Sequence, residues 1–444
     1  MYETIFAPVT ANGISAISVF RFSGKKSKQI LKSLIKSNKT PLARKLVLKK
    51  LYDPSSNELL DICLICWMPK PKSYTGEDCF EIQCHGGLAT TRAFIDAFSR
   101  IEGLRFADAG EFSKRAIING KIDLVQAEAI NEIILAETEK QRSLNVKQLN
   151  KGLSIPINKW RNTIINALSK IEAAIDFSDE DGVPEIIDMS SEIKVILKDI
   201  TKVLEKGNKF QLITKGTKVA LTGPPNSGKS SLFNYIIKKQ KSIVTKIPGT
   251  TRDIVEKKIN LKGNPVIFLD TAGIRNTKNL IEKEGIKKAK AVIKEADIVL
   301  KVIDICNLKK TNEKYLNNYK HWVVLNKIDK VNQEKKLTKQ ENKKLFFVSA
   351  KTGKGIKELL NKIYEHILHE TKEEETGQYF FTNERQKADL KKALTNLQVA
   401  IIEKDEEIIA EYLRGATRNL ERILGKIDVE DILGDIFSNF CIGK

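Results

Sequence analysis

At 444 residues the chain is too long for one compact core, and about two to four domains are expected. Hydrophobic residues at 41% supply ample core material, and no run approaches the roughly 18 consecutive apolar residues of a membrane helix. The formal charge of +20 rests on 76 basic residues, only 14 of them arginine, so either a nucleic-acid partner or a general drift toward lysine accounts for it. The opening MYETIFAPVT lacks a basic stretch followed by an apolar core, and a cytoplasmic protein without a membrane partner is the expectation.

From 1 to about 119, short apolar runs (ISAISVFRF, KLVLKKLY, DICLICW, CFEIQ) alternate with turn signals and two helical stretches, an α/β pattern. After NGK at 119 to 121 the spacing becomes helical, first in Ile164, Leu168, Ile171 and Ile175, then in Ile193, Ile196, Ile200 and Val203. Between 216 and 371, KVALTG, VIFLDTAG, DIVLKVID, HWVVLNKID and LFFVSAK read as buried strands alternating with helices, hence a mostly parallel sheet covered on both faces. Helical spacing returns in Leu390, Leu394, Leu397 and Ile401 and in Leu413, Ala416, Leu420 and Ile423. The expected architecture is therefore an α/β domain over 1–119, then a helical domain in two parts, 120–215 and 372–444. An α/β domain over 216–371 interrupts it, and the acidic KEEETG at 372–377 forms the exit hinge.

Cys63, Cys66, Cys79 and Cys84 superficially resemble a zinc site. In extended strands, odd separations place each pair on opposite faces, which favours reduced cysteines. Cys306 reads as a core residue of an apolar strand.

GPPNSGKS at 223 to 230 follows the strand KVAL and fits a phosphate-binding loop. Its residues Asn226, Ser227 and Gly228 would offer backbone N–H groups to phosphates, Lys229 would neutralise the outer phosphates, and Ser230, followed by Ser231, would bind magnesium. GTTRD at 249 to 253, DTAG at 270 to 273, NKID at 326 to 329 and SAK at 349 to 351 follow in order. In NKID the Asp329 carboxylate suits the two N–H donors of guanine, Asn326 braces the loop and Lys327 lies over the base, so GTP and GDP are the expected ligands. Ser349, Ala350 and Lys351 complete the base side. Thr251 is the natural switch hydroxyl for magnesium and the γ-phosphate, and Asp270, before Thr271, Ala272 and Gly273, the carboxylate behind the magnesium. The next position is Ile274, which cannot steer an attacking water as the glutamine of small GTPases does.

The whole chain resembles the tRNA-modification GTPases of the MnmE (TrmE) family. The matches are FRFSG at 20 to 24, SYTGED at 73 to 78, EIQCHGG at 81 to 87, AGEFSKRAIINGKIDLVQAEAI at 109 to 130, AAIDFSDED at 173 to 181, the GTPase block, TNERQ at 382 to 386 and FCIGK at 440 to 444. AGEF stands where the family has PGEF, and two prolines sit in the phosphate loop. The resemblance implies a folate-binding-like N-terminal α/β domain and a helical domain interrupted by a Ras-like P-loop G domain. It also implies a potassium ion in place of an arginine finger, held by Asn226 and by Thr245, Ile247 and Thr250 within the Thr245, Lys246, Ile247, Pro248, Gly249, Thr250 run. Glu282 aligns with the glutamate that acts on water from a distance.

Further implications are a homodimer and a one-carbon folate such as 5-formyltetrahydrofolate, contacted by Arg21, Glu81, Lys121 and Lys444. Cys441 would serve chemistry or positioning there, against the alternative of helix-end packing. The family works with the flavoprotein MnmG (GidA), in a heterotetramer or larger complex, to place a carboxymethylaminomethyl-type group on the wobble uridine of certain tRNAs. A regulatory GTPase of ribosome assembly or stress signalling is the alternative, because such proteins share the GTTRD and DTAG motifs.

Overall fold

The computed structural model describes residues 3–176, 190–239, 255–270, 293–310, 322–331, 344–371 and 379–427, together with 440 and 443. The chain divides into two compact units, one of residues 1–131, 148–189 and 395–444, the other of 132–147 and 190–394. The exit hinge read at 372–377 lies outside the described residues.

In the first unit, strands β1 (Thr4–Pro8), β2 (Ile17–Ser23), β3 (Leu46–Tyr52), β4 (Leu59–Met68), β5 (Cys79–His85) and β6 (Leu104–Phe106) form one sheet in the order β3-β4-β5-β2-β1-β6. All neighbours are antiparallel except β1 and β6. Strand alternation sends Phe20, Phe22, Phe80 and Ile82 to one face, where α1 (Ser27–Leu34) and α2 (Leu88–Ser99) close a phenylalanine-rich core. The same alternation sends Arg21, Ser23, Cys79 and Glu81 to the other face, near α3 (Glu111–Ile118). That second face is where polar side chains gather.

Helix α4 (Leu124–Leu135) follows, and α5 (Glu139–Leu149) leads to α6 (Ser154–Asp176). Ile157, Trp160, Ile164, Ala167 and Ile171 are buried on α6, which packs on the last helix of the chain, Glu406–Leu424. That helix starts at Asp405, whose carboxylate accepts from the Glu407 and Ile408 N–H groups, and stops at Gly425 with φ 71. Phe440 is buried with Ile117, Leu124 and Ala127.

The second unit contains α7 (Ser190–Thr214) and a sheet of β7 (Thr217–Thr222), β8 (Val255–Leu261), β9 (Asn264–Asp270), β10 (Ile298–Asp304), β11 (Trp322–Asn326) and β12 (Leu345–Phe347). Its order is β12-β11-β10-β7-β9-β8, parallel except for the β8–β9 hairpin. Helices α8 (Lys229–Lys239) and α9 (Ile356–Thr371) bury Leu232, Phe233, Ile236, Leu359, Ile363 and Ile367 against one face. Strand β8 was not expected from the sequence. Its lysines 257 and 258 mask a strand in which, among the described side chains, Ile259 and Leu261 are buried, as an edge strand allows.

Cys306 differs from expectation. It is exposed in the 3-10 turn Ile305–Lys310 after β10, because the strand ends at Asp304. Cys63 and Cys84 are buried among the phenylalanines, whereas the Cys79 thiol meets the hydroxyls of Thr75 and Ser23. Burial pushes the Cys84 thiol up to about 12, so it is inert at neutral pH.

Candidate functional site

The phosphate loop leaves β7 at Gly223, where a Cβ would stand 2.1 Å from the Val302 carbonyl oxygen, so only glycine lets the chain pass. Pro224, Pro225 and Asn226 are exposed, and Asn226 adopts φ 60. Gly228, at φ 92, faces the side chain of Asn326, and a Cβ there would lie 2.2 Å from its Nδ2. Ser227 is buried, and its hydroxyl has no hydrogen-bond partner among the described residues. The buried Lys229 donates from Nζ to the carbonyl oxygens of Gly223 at 3.0 Å and Pro224 at 2.8 Å, so its ammonium is held inside the loop. Ser230 and Ser231 are exposed on the first turn of α8. A loop that wraps the N-terminus of a helix in this way presents donors and a positive charge to an anion. Asp270, buried at the end of β9, pairs with Leu221 of β7, two positions before the loop.

The base side is built from the ends of β11 and β12. Asn326 is 1% exposed and ties three segments together. Its Nδ2 donates to the Ser227 carbonyl at 3.0 Å, and its Oδ1 accepts from the N–H groups of Lys327 at 2.8 Å and Ala350 at 3.0 Å. The exposed Asp329 accepts from the Ser349 hydroxyl at 2.6 Å, and this bond holds its carboxyl below the usual range. Lys351 is exposed beside them. The Asp329 carboxylate is thus oriented and ionised, as an acceptor for two N–H donors must be. Thr245, Lys246, Ile247, Pro248, Gly249, Thr250, Thr251, Thr271, Ala272, Gly273, Ile274 and Glu282 lie outside the described residues.

On the polar face of the first unit, Arg21 and Glu81 stand opposite each other in the β2–β5 register and pair at 2.9 Å. The Arg21 guanidinium lies 5.1 Å from the Tyr74 ring centroid and 5.8 Å from that of Phe112. Lys121 is exposed, with its stem close to Gly76. Gly443 approaches the Pro8 carbonyl at the end of β1, where Ala7 pairs with Arg21. Cys441 and Lys444, on either side of it, lie outside the described residues.

Two family models cover the chain: residues 4–121 match the GTP-binding protein TrmE N-terminus, and residues 124–441 match the MnmE helical domain. The tRNA modification GTPase MnmE of Rickettsia bellii is 40% identical over 450 residues, with 100% of both chains covered. The chain belongs to the MnmE family. The Rickettsia prowazekii member is 38% identical over 448 residues, again with full coverage of both. The G domain of the T. maritima FeoB iron transporter is 30% identical over 34% of this chain and 98% of its own, at a TM-score of 0.25.

The MnmE-type motifs of the N-terminal domain converge on residues that spacing alone did not single out. Arg115, 2% exposed, donates to Glu77 at 3.0 Å, to Glu111 at 2.8 Å and to the Glu3 carbonyl at 2.8 Å. Ser23 donates to Glu77 at 2.6 Å, and Asn119 to the Thr75 carbonyl at 2.7 Å. FRFSG, SYTGED, AGEFSKR and ING thus form one network beneath Arg21 and Glu81. Apart from Ser23 on β2, these residues lie on α3 and in the loops beside β1 and β5, where strand alternation gives no signal.

Proposed function

We propose that this chain is a potassium-dependent GTPase of tRNA modification that works with the flavoprotein MnmG to build a carboxymethylaminomethyl-type group at C5 of the wobble uridine. The observation that carries the guanine-nucleotide reading is Asn326, which joins the phosphate loop to both base-side loops in one hydrogen-bonded unit. Asn226, Ser227, Gly228, Lys229, Ser230 and Ser231 receive the phosphates, and Asp329, Ser349, Ala350 and Lys351 receive the base. Ser230 and Thr251, backed by Asp270, suit magnesium, a hard cation that takes few protein ligands. Asn226, with Thr245, Ile247 and Thr250, suits potassium, which would supply positive charge where none of these side chains does. Glu282 orients water in place of the missing glutamine at Ile274.

The Arg21–Glu81 pair under Tyr74 supports a folate site. A guanidinium binds a carboxylate tail, a carboxylate binds the N–H edge of a pterin, and an aromatic ring covers its face. Lys121 and Lys444 add charge for the tail, and the one-carbon folate supplies the carbon. Cys441 acts beside that site, in a segment whose Phe440 packs on Ile117, Leu124 and Ala127 and whose Gly443 meets Pro8 of β1. Leu46, Leu48, Ile62 and Leu64 are exposed on β3 and β4, with Leu48 directly opposite Leu64, an apolar face that suits a second copy of the chain in a homodimer. The protein works in the cytoplasm, and GTP hydrolysis drives opening and closing of the G domains.

GTP hydrolysis in potassium chloride and in sodium chloride at equal ionic strength tests the cation, with Asn226→Ala and Glu282→Ala expected to lose the potassium-specific rate. Nucleoside analysis of tRNA from cells lacking the protein tests the modification, and an unchanged wobble uridine would refute it. Cys441→Ser is expected to abolish modification and to leave GTP hydrolysis intact.

A further inference from the structure

The ammonium of Lys327 is tied at two points. Nζ donates to the Asn226 carbonyl oxygen at 2.6 Å and to Asp304 Oδ2 at 2.7 Å. Asp304 is the last residue of β10 and pairs with Asn326 in the parallel register. Its other carboxylate oxygen accepts from the Cys306 N–H at 3.0 Å, so the turn after β10 sets the orientation of the carboxylate. Both side chains are mostly screened from water, Lys327 at 25% and Asp304 at 15% exposure. The end of β10, the base loop and the phosphate loop are therefore joined through one ammonium.

We propose that Asp304 is a positioning residue of the nucleotide site, holding the Lys327 ammonium on the phosphate-loop carbonyl of Asn226 so that the two loops are locked together before nucleotide arrives. The proposal rests on the guanine-nucleotide reading of this site and assigns a role to a residue outside its sequence motifs. A lysine has four rotatable side-chain bonds, and ordering them on binding would weaken affinity. Asp304 does that ordering in advance, with a charge-assisted bond that a neutral acceptor would not match. The carbonyl of Asn226 alone offers the ammonium no counter-charge.

The test uses the full-length protein and a fluorescent GDP analogue, in wild type, Asp304→Asn, Lys327→Met and the double variant. Asp304→Asn keeps the shape and the acceptor for the Cys306 N–H, and Lys327→Met keeps the stem without the ammonium. Loss of one charge-assisted bond predicts an affinity about tenfold weaker in Asp304→Asn. The same substitution is expected to have no further effect in the Lys327→Met background, since it acts only through that ammonium. Competition with inosine diphosphate is expected to show an unchanged preference for GDP, because Asp329 and Ser349 stay in place. Wild-type affinity in Asp304→Asn, multiplying losses in the double variant, or a collapsed preference for GDP would each overturn the role of Asp304. A wild-type protein that binds no guanine nucleotide would instead overturn the reading on which it rests.

Discussion

Replacing Asn326 by alanine removes the side chain that couples the phosphate loop to the base side. Three bonds of ordinary length are lost, to the Ser227 carbonyl and from the N–H groups of Lys327 and Ala350. The contact to the Gly228 carbonyl, at 3.4 Å, is too long to add much. At about 1 kcal/mol net for each bond, the loss is about 3 kcal/mol, or roughly a hundredfold in nucleotide affinity if it falls on the bound state. Asn326 is buried, so water does not readily replace these bonds, and the figure is a lower estimate. Titration with a fluorescent GDP analogue gives the affinity, and urea unfolding of the nucleotide-free protein separates loss of binding from loss of fold. Affinity within about threefold of wild type, with unfolding unchanged, would refute the claim that Asn326 organises the site.

Arg115→Ala leaves Glu111 and Glu77 without their buried guanidinium, and a loss of about 3–5 kcal/mol in unfolding free energy is expected. Burial disfavours ionisation of Glu111, but hydrogen bonds from Arg105 and Arg115 outweigh it and hold the folded carboxyl below its ordinary value. Its contribution is complete above the unfolded pKa and is lost as pH falls through the lowered folded one, so the stability gap between wild type and Arg115→Ala narrows in acid. Parallel pH–stability curves for the two proteins would contradict this. Asp329→Asn replaces one of the two carboxylate acceptors by an N–H donor, and competition binding is expected to show weaker GDP and a gain for xanthine nucleotides, which carry a carbonyl in place of the amine. Among the five described cysteines, the exposed Cys306 is expected to react first with iodoacetamide, with Cys63 and Cys84 silent until unfolding, as peptide mapping would show.

The candidate nucleotide site was legible because its motifs are local. Gly228, Lys229 and Ser230 lie within one loop and one helix turn, and Asn326 to Asp329 within another, so spacing and a preceding apolar strand were enough to read them. Helical faces on 164 to 175, 193 to 203 and 413 to 423 were read for the same reason, since a period of 3.6 is written along the chain. Strand pairing is not written that way. Arg21 meets Glu81 across sixty residues, and Arg115 meets Glu77 and the Glu3 carbonyl only once β1, β2, β5 and α3 have assembled. Asp304 read as the end of an apolar strand, and its bond to Lys327 follows from the parallel register of β10 and β11. Cys306 was placed in the core because apolar runs do not mark where a strand stops. By itself the sequence determined the family, the nucleotide motifs and the alternation of strands and helices, all set by neighbours along the chain. Only the tertiary structure decided which charges neutralise one another and which thiols are sheltered, because those depend on contacts between segments that chain order leaves far apart.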